Sequence, residues 1–327
     1  MGDVAMCIPV LLALKRDYPG VEIIALSRKR YHYIFHQIAG IRFIEADVEG
    51  DHKGIAGIYK LSRQLKALKI DAVADVHNVL RTKLLKAFIT GIPKSTIDKG
   101  RAEKKKLVTD PDFFEPLKHN TQRYADVFRN LGFNIELQGN EFLPKPVVSP
   151  DLQNKFGVAD TVRIGFAPFA AHPTKAITIQ KAKEIVDALQ QLEHTTIILI
   201  GGGKKETEQL NELASPFTNV VNLAGNTDFK NELAVIAHLD VMIAMDSGNG
   251  HLAALYGVPV VTLWGNTHPH AGFAPYAQPD SNQLTPSREH YPLIPTSIYG
   301  NKKIAGYEQV TDSIDTQIII KLLKQLI

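Results

Sequence analysis

The sequence predicts an α/β protein built from two Rossmann-like halves, each with its own parallel sheet. Three observations predict it. Short apolar runs alternate with amphipathic stretches of helical period along most of the chain, which is the pattern of strands crossed by helices. The stretch from Gly139 to Pro150 contains three prolines and no helical period, so it reads as a linker. Beyond it the strand–helix rhythm starts again, and 327 residues suit about two domains of roughly 150 each.

In the first half the expected strands are Val21–Leu26, Arg42–Glu45 and Asp71–Val76. The expected helices are Val4–Arg16, Tyr31–Ala39, Ile55–Leu68, Leu80–Ile89 and Thr121–Leu131. In the second half the strands are Val162–Ala167, Thr195–Ile200, Val220–Leu223, Val241–Met245 and Val258–Leu263. Its helices are Ile179–Leu192, Glu206–Leu213, Phe229–Ala237 and Gly250–Leu255. An irregular piece from Gly265 to Tyr307 precedes a last helix, Ser313–Leu326. One feature departs from the pattern. A parallel α/β domain opens with a strand, yet Met1-Gly2-Asp3 already reads as the turn and cap of a helix. The opening strand is therefore expected to lie upstream of Met1. The first sheet should show a gap beside Val21–Leu26 and Asp71–Val76, and that half should be poorly stable.

Composition narrows the function. With 44% apolar and 22% charged residues, the chain can bury a large core. A single cysteine, Cys7, excludes a disulfide framework or a Cys-rich zinc site. The longest apolar run, Val4 to Leu14, falls short of the roughly 20 residues of a membrane span. Asp3 stands where a signal peptide would be basic, so a cytoplasmic location is expected. The charge is uneven: residues 1–150 hold 24 Lys/Arg against 17 Asp/Glu, and residues 151–327 hold 13 against 17. Lys94 to Lys106 (KSTIDKGRAEKKK) carries the densest excess. It reads as either a solvated loop or a patch facing an anionic partner. No aromatic residues interleave it, so nucleic acid is not expected.

Ligands in open α/β sheets gather where strand carboxyl ends meet helix N-termini. Three turns of this kind carry suitable chemistry. Met245-Asp246-Ser247-Gly248-Asn249-Gly250-His251 follows an apolar strand and opens a helix. Gly248-x-Gly250-x-x-Ala253 loosely matches a dinucleotide fingerprint, but no acidic residue follows about 20 positions on. Asp246 and Ser247, taken alone, read as helix caps. Gly201-Gly202-Gly203-Lys204 lacks the ending of a P-loop. The third turn, Pro168 to Thr178, presents Lys175 as a point charge for a diphosphate. Metal is not expected. Asp110-x-Asp112 follows no clear strand, and His268-x-His270 lacks a third ligand.

Taken together, these residues resemble the ADP-heptose:lipopolysaccharide heptosyltransferases, glycosyltransferase family 9. Met1-Gly2-Asp3-Val4 is similar to the end of that family's first turn. Asp246-Ser247-Gly248-Asn249-Gly250-His251-Leu252-Ala253-Ala254, Pro259 and Gly265-Asn266-Thr267-His268-Pro269 match its C-terminal block over about 25 residues. Weaker echoes are Asp75 to Arg81, Lys99-Gly100-Arg101, Arg123-Tyr124 and His172-Pro173-Thr174-Lys175. His268 stands where the family has an aspartate, and Asp-Ser-Gly replaces its more frequent Asp-Thr-Gly.

The resemblance implies a GT-B fold, with two Rossmann-like domains facing a cleft and divided as 1–145 and 146–327. The helix 313–326 could pack back on the first. It implies inverting, metal-independent transfer of a heptose or related sugar from an ADP-sugar to a lipopolysaccharide core or lipid A-type acceptor, without a cofactor. Asp3 would be the catalytic base. Lys175, Asp246, Ser247, Gly248, His251 and Thr267 would hold the donor. Arg101, Lys104, Lys105 and Lys106 would meet the anionic lipid-linked acceptor, with peripheral contact to the cytoplasmic face of the inner membrane. Two other readings stay open: an epimerase-like GT-B enzyme, or a non-catalytic binder of sugar nucleotides.

Overall fold

A computed structural model of the chain describes residues 1–156 and 161–327. It contains two compact units. The first comprises Asp3–Gly100 and Asn120–Glu141, with Met1; the second comprises Arg101–His119 and Phe142–Ile327, with Gly2. The division is thus not contiguous along the chain, because Arg101–His119 clusters with the second unit.

The first unit holds β1 (Ile23–Ser27), β2 (Ile41–Glu45), β3 (Val73–Asp75) and β4 (Lys94–Thr96). Its helices are α1 (Gly2–Asp17), α2 (His32–His36), α3 (Gly54–Ala67), α4 (Leu80–Phe88), and, after the excursion α5 (Arg101–Thr109) into the second unit, α6 (Asn120–Arg129). β1 pairs in parallel with β2, and β3 with β4, as two separate two-stranded sheets. Among the described residues, β1 and β3 are each paired on one edge only. α1 is apolar around its whole circumference, so it is buried from Ala5 to Leu11 and again at Ala13 and Leu14. α3 and α4 pack on one core through Ile58, Leu61, Leu65, Leu85 and Ile89.

The basic run Lys94–Lys106 is not a loop. Its start is β4 and its end opens α5. Two of the six bases lie in the strand and the turn after it, and the other four lie on the helix.

Beyond α5, the second unit continues from Phe142 through α7 (Pro150–Lys155) and then alternates regularly. β5 (Val162–Ala167), α8 (Ile179–Leu189), β6 (Thr195–Leu199), α9 (Lys204–Ala214), β7 (Val220–Asn222), α10 (Phe229–Ala237), β8 (Val241–Met245), α11 (Gly248–Ala254) and β9 (Val260–Leu263) follow in order. The long irregular segment contains only 3-10 turns and the two-residue β10 (Gln283–Leu284) before α12 (Thr316–Leu326). The sheet is all parallel in the order β10-β9-β8-β5-β6-β7. β6, β8 and β9 are buried throughout, which explains why they read as unbroken apolar runs. Side-chain caps fix four helix starts among the described residues of this unit: Ser149 Oγ accepts from the Leu152 amide, Thr178 Oγ1 from that of Lys181, Asp228 Oδ1 from that of Asn231 and Asp315 Oδ1 from that of Gln317. α12 packs against α8 within this unit and contributes Ile319, Ile320 and Leu323 to its core.

Candidate active site

In the second unit the strand order reverses between β5 and β8, since β6 lies on one side of β5 and β8 on the other. Loops leaving the carboxyl ends of these two strands separate there and leave room for a ligand. The loop after β5 carries a 3-10 turn, Pro173–Lys175. The loop after β8 carries Asp246 and Ser247, and the chain after β9 carries Gly265, Asn266 and Thr267.

These loops converge on one carboxylate. Lys175 Nζ lies 2.8 Å from Asp246 Oδ2, and Thr267 Oγ1 donates to the same oxygen at 2.7 Å. The lysine and aspartate side chains are only 14% and 8% exposed. An ion pair this far from water holds firmly because either charge alone would be costly there. Gly265 permits the convergence, since a Cβ there would overlap the Thr174 carbonyl oxygen. Gly250 lets α11 lie on the sheet: its Cβ would sit 3.3 Å from both Ala244 Cβ and Val260 Cγ1.

The cap reading of Asp246 and Ser247 does not hold. The Asp246 carboxylate is turned to Lys175 and Thr267. Ser247 occupies the N-cap position of α11, but its side chain caps nothing, and its buried Oγ has no partner among the described residues. Gly248 is the first residue of α11, and His251 is buried one turn on.

His268 is buried, and its Nδ1 accepts the His270 amide N–H at 3.1 Å, which caps the Pro269–Ala271 turn. That bond puts the proton of the neutral ring on Nε2. Burial, with His270 and Arg288 nearby, pushes the His268 pKa down to about 3, so the ring stays neutral at any physiological pH. Its ring packs against Phe114 and His270, and Arg288 covers the Phe114 ring. Among the described residues, no group of three or more His, Cys, Asp or Glu is placed to hold a metal.

In the first unit, Asp3 lies exposed in the first turn of α1, one step inside the helix rather than at its cap, which is Met1. Its Oδ1 accepts the Tyr124 hydroxyl at 3.1 Å. Burial, with the charge of Asp3 and the nearby Cys7, raises the Tyr124 pKa well above its usual value, so the phenol remains a donor. The buried Cys7 thiol is pushed up to about 12 by burial and by Asp3, and is chemically inert. His77 feels the same carboxylate, although burial dominates and lowers its pKa.

The chemistry is that of a carboxylate held by a phenol in one unit and a buried cation–carboxylate pair at a switch point in the other. A family model described as "Glycosyltransferase family 9 (heptosyltransferase)" matches residues 58–295. The chain belongs to glycosyltransferase family 9. It is 24% identical over 294 residues to the lipopolysaccharide core heptosyltransferase OpsX of Haemophilus influenzae, covering 86% of this chain and 80% of that one. Its fold is similar to a family 9 glycosyl transferase from Veillonella parvula, with a TM-score of 0.77, 19% identity, and coverage of 100% of this chain and 94% of that one. It is also similar to Escherichia coli heptosyltransferase WaaC with ADP, with a TM-score of 0.69, 18% identity, and coverage of 100% and 97%. The GT-B fold class expected from the sequence is thereby borne out.

The four basic residues expected to meet the acceptor do not all face solvent in this family 9 chain. They share α5, in the second unit, but only Arg101, Lys105 and Lys106 are exposed. Lys104 is 3% exposed, with its ammonium 4.1 Å from the centre of the Phe273 ring. Lys106 lies over Phe113 and 3.8 Å from Asp110.

Sequence reasoning passed over Glu232, in the first turn of α10. Burial alone pushes its pKa up to about 7. Between pH 4.5 and 7 the folded chain therefore binds a proton that the unfolded chain has lost, and stability falls as pH rises through that window. Glu232→Gln should remove this fall and make the protein more stable than wild type at pH 8. Urea unfolding at pH 4.5 and pH 8 checks this, and equal pH dependence in the two proteins would contradict it.

Proposed function

We propose that this protein transfers a heptose, or a closely related sugar, from an ADP-sugar to a lipopolysaccharide core or lipid A-type acceptor, with inversion at the anomeric carbon. The observation that carries the reading is the Lys175–Asp246–Thr267 cluster at the strand-order reversal. Its relatives' names point the same way: OpsX is a lipopolysaccharide core heptosyltransferase, and WaaC was solved with ADP.

In this reading Lys175 meets the donor diphosphate, with Ser247, Gly248 and His251 beside it. Asp246 and Thr267 hold the lysine. Asp3 takes the proton from the acceptor hydroxyl as that oxygen attacks the anomeric carbon. The bond from that carbon to the β-phosphate oxygen breaks on the opposite face, and ADP leaves with the electron pair. Lys175 offsets the charge growing on the diphosphate, so the step needs no metal. Tyr124 orients the Asp3 carboxylate. No helix among the described residues is long and apolar enough to cross a membrane, and contact with the inner membrane is peripheral.

The test combines purified protein, ADP-heptose and a heptose-deficient core acceptor in EDTA. Mass spectrometry should show one added heptose per acceptor with equimolar ADP, and NMR should show the inverted anomer. Donor epimerisation, or ADP-sugar binding without turnover, would overturn it.

The acceptor expectation is narrower than all four bases. Arg101, Lys105 and Lys106 replaced together by Glu should raise KM for the anionic acceptor several-fold at low salt, with the effect fading as salt screens it. An unchanged KM at low salt returns these residues to a solvated helix face. Lys104 is excluded because its ammonium is buried against Phe273.

A further inference from the structure

The 296–301 turn closes over Lys175. Gly300 has φ +76°, a conformation that suits glycine, and a Cβ there would come within 2.5 Å of Lys175 Cγ and nearer still to Cδ. The Thr174 hydroxyl donates to the Gly300 carbonyl. The Gly300 N–H donates to Ser297 Oγ at 2.9 Å, and that hydroxyl donates on to Asn301 Oδ1 at 3.1 Å. The amides of Thr296 and Ser297 donate to the Asn266 carbonyl at 3.0 and 3.2 Å, and the Asn266 amide donates to the Thr174 carbonyl at 3.0 Å. The bonds form a circuit through Thr174, Gly300, Ser297 and Asn266 back to Thr174. The lysine stem is held against the face of that circuit where no side chain stands.

A lysine has four freely rotating carbons and loses much rotamer entropy when pinned to one partner. The turn removes that freedom in advance. We infer that Gly300 and Thr174 are positioning residues, which clamp the stem of Lys175 so that its ammonium is held on Asp246, ready for an anionic donor group. The inference rests on the proposed donor role of Lys175. Neither Gly300 nor the turn around it shares the family motif that drew attention to Lys175.

The test uses the full chain and ADP as the probe, with five variants: Gly300→Ala, Thr174→Val, Thr174→Ser, Lys175→Ala and the double variant Gly300→Ala/Lys175→Ala. Titration calorimetry should show Gly300→Ala and Thr174→Val each weakening ADP about tenfold, Thr174→Ser near wild type, and the double variant no weaker than Lys175→Ala alone. In the transfer assay KM for the ADP-sugar should rise more than kcat falls. Acetylation footprinting reads the clamp without ADP, and Lys175 should become several-fold more reactive in Gly300→Ala and Thr174→Val. If Lys175→Ala binds ADP normally while the footprint still changes, the donor reading fails and the clamp stands. The clamp is overturned if the footprint is unchanged, or if the Gly300 and Lys175 penalties add in the double variant. Should Gly300→Ala fail to fold, the Thr174 pair decides alone.

Discussion

Asp3→Asn is expected to lower sugar transfer about a hundredfold or more while leaving ADP affinity within about threefold of wild type. The amide keeps the size of the carboxylate and can still accept from Tyr124, but it cannot take a proton from the acceptor hydroxyl. Asp3 is exposed, so the change should not unfold α1. A hundredfold loss corresponds to about 2.7 kcal/mol of transition-state stabilisation. Tyr124→Phe should cost less, because the phenol orients the base and does not act on substrate. Single-turnover rates with saturating donor check both. Wild-type turnover in Asp3→Asn would remove Asp3 from the mechanism.

The second large effect is on stability. Asp246→Ala leaves the Lys175 ammonium buried without its partner and frees the Thr267 hydroxyl. Removing one member of a buried pair typically costs about 3–5 kcal/mol, a large part of the roughly 5–15 kcal/mol that holds a domain together. The double variant Asp246→Leu/Lys175→Met should recover much of the loss, because no charge is then left uncompensated. Denaturant midpoints of the two proteins decide it. If Asp246→Ala unfolds like wild type, the pair is not the anchor of these loops.

Where strands are fully covered, the sequence was a good guide to them. β5, β8 and α10 have the bounds expected from the sequence, and β8 shows why most plainly, since its five residues are all apolar and all buried, so no polar residue blurs the pattern. The basic segment was misread for the opposite reason. β4 is three residues of Lys, Ser and Thr, and its only buried residue is a serine. α5 buries little besides Leu107 and the Lys104 side chain, which rests on Phe273, so its helical period is hidden under charge. Lys175 and Asp246 stood out from the chemistry of their turns and Thr267 through family resemblance, but their mutual bonds arise from loops that only the sheet brings together. Gly300 carried no local signal. The demand for a missing side chain there is made by Lys175, which is remote in sequence. Tyr124 was visible only as a faint echo, since its partner lies at the other end of the first unit's sequence.

The divided sheet of the first unit also sets where the molecule is soft. β5 is hydrogen-bonded on both edges and lies in a wholly parallel six-stranded sheet. β1 and β3 are bonded on one edge, and each pair stands on only three to five rungs. Amides on a strand paired on both sides are released only by global opening, whereas those on a two-stranded ribbon are released by a small local one. Hydrogen exchange should therefore be slowest along β5, β6 and β8 and quickest along β1 to β4. The proposed base, Asp3, thus sits in the unit that opens more readily, while the Lys175–Asp246 pair rests on the rigid sheet.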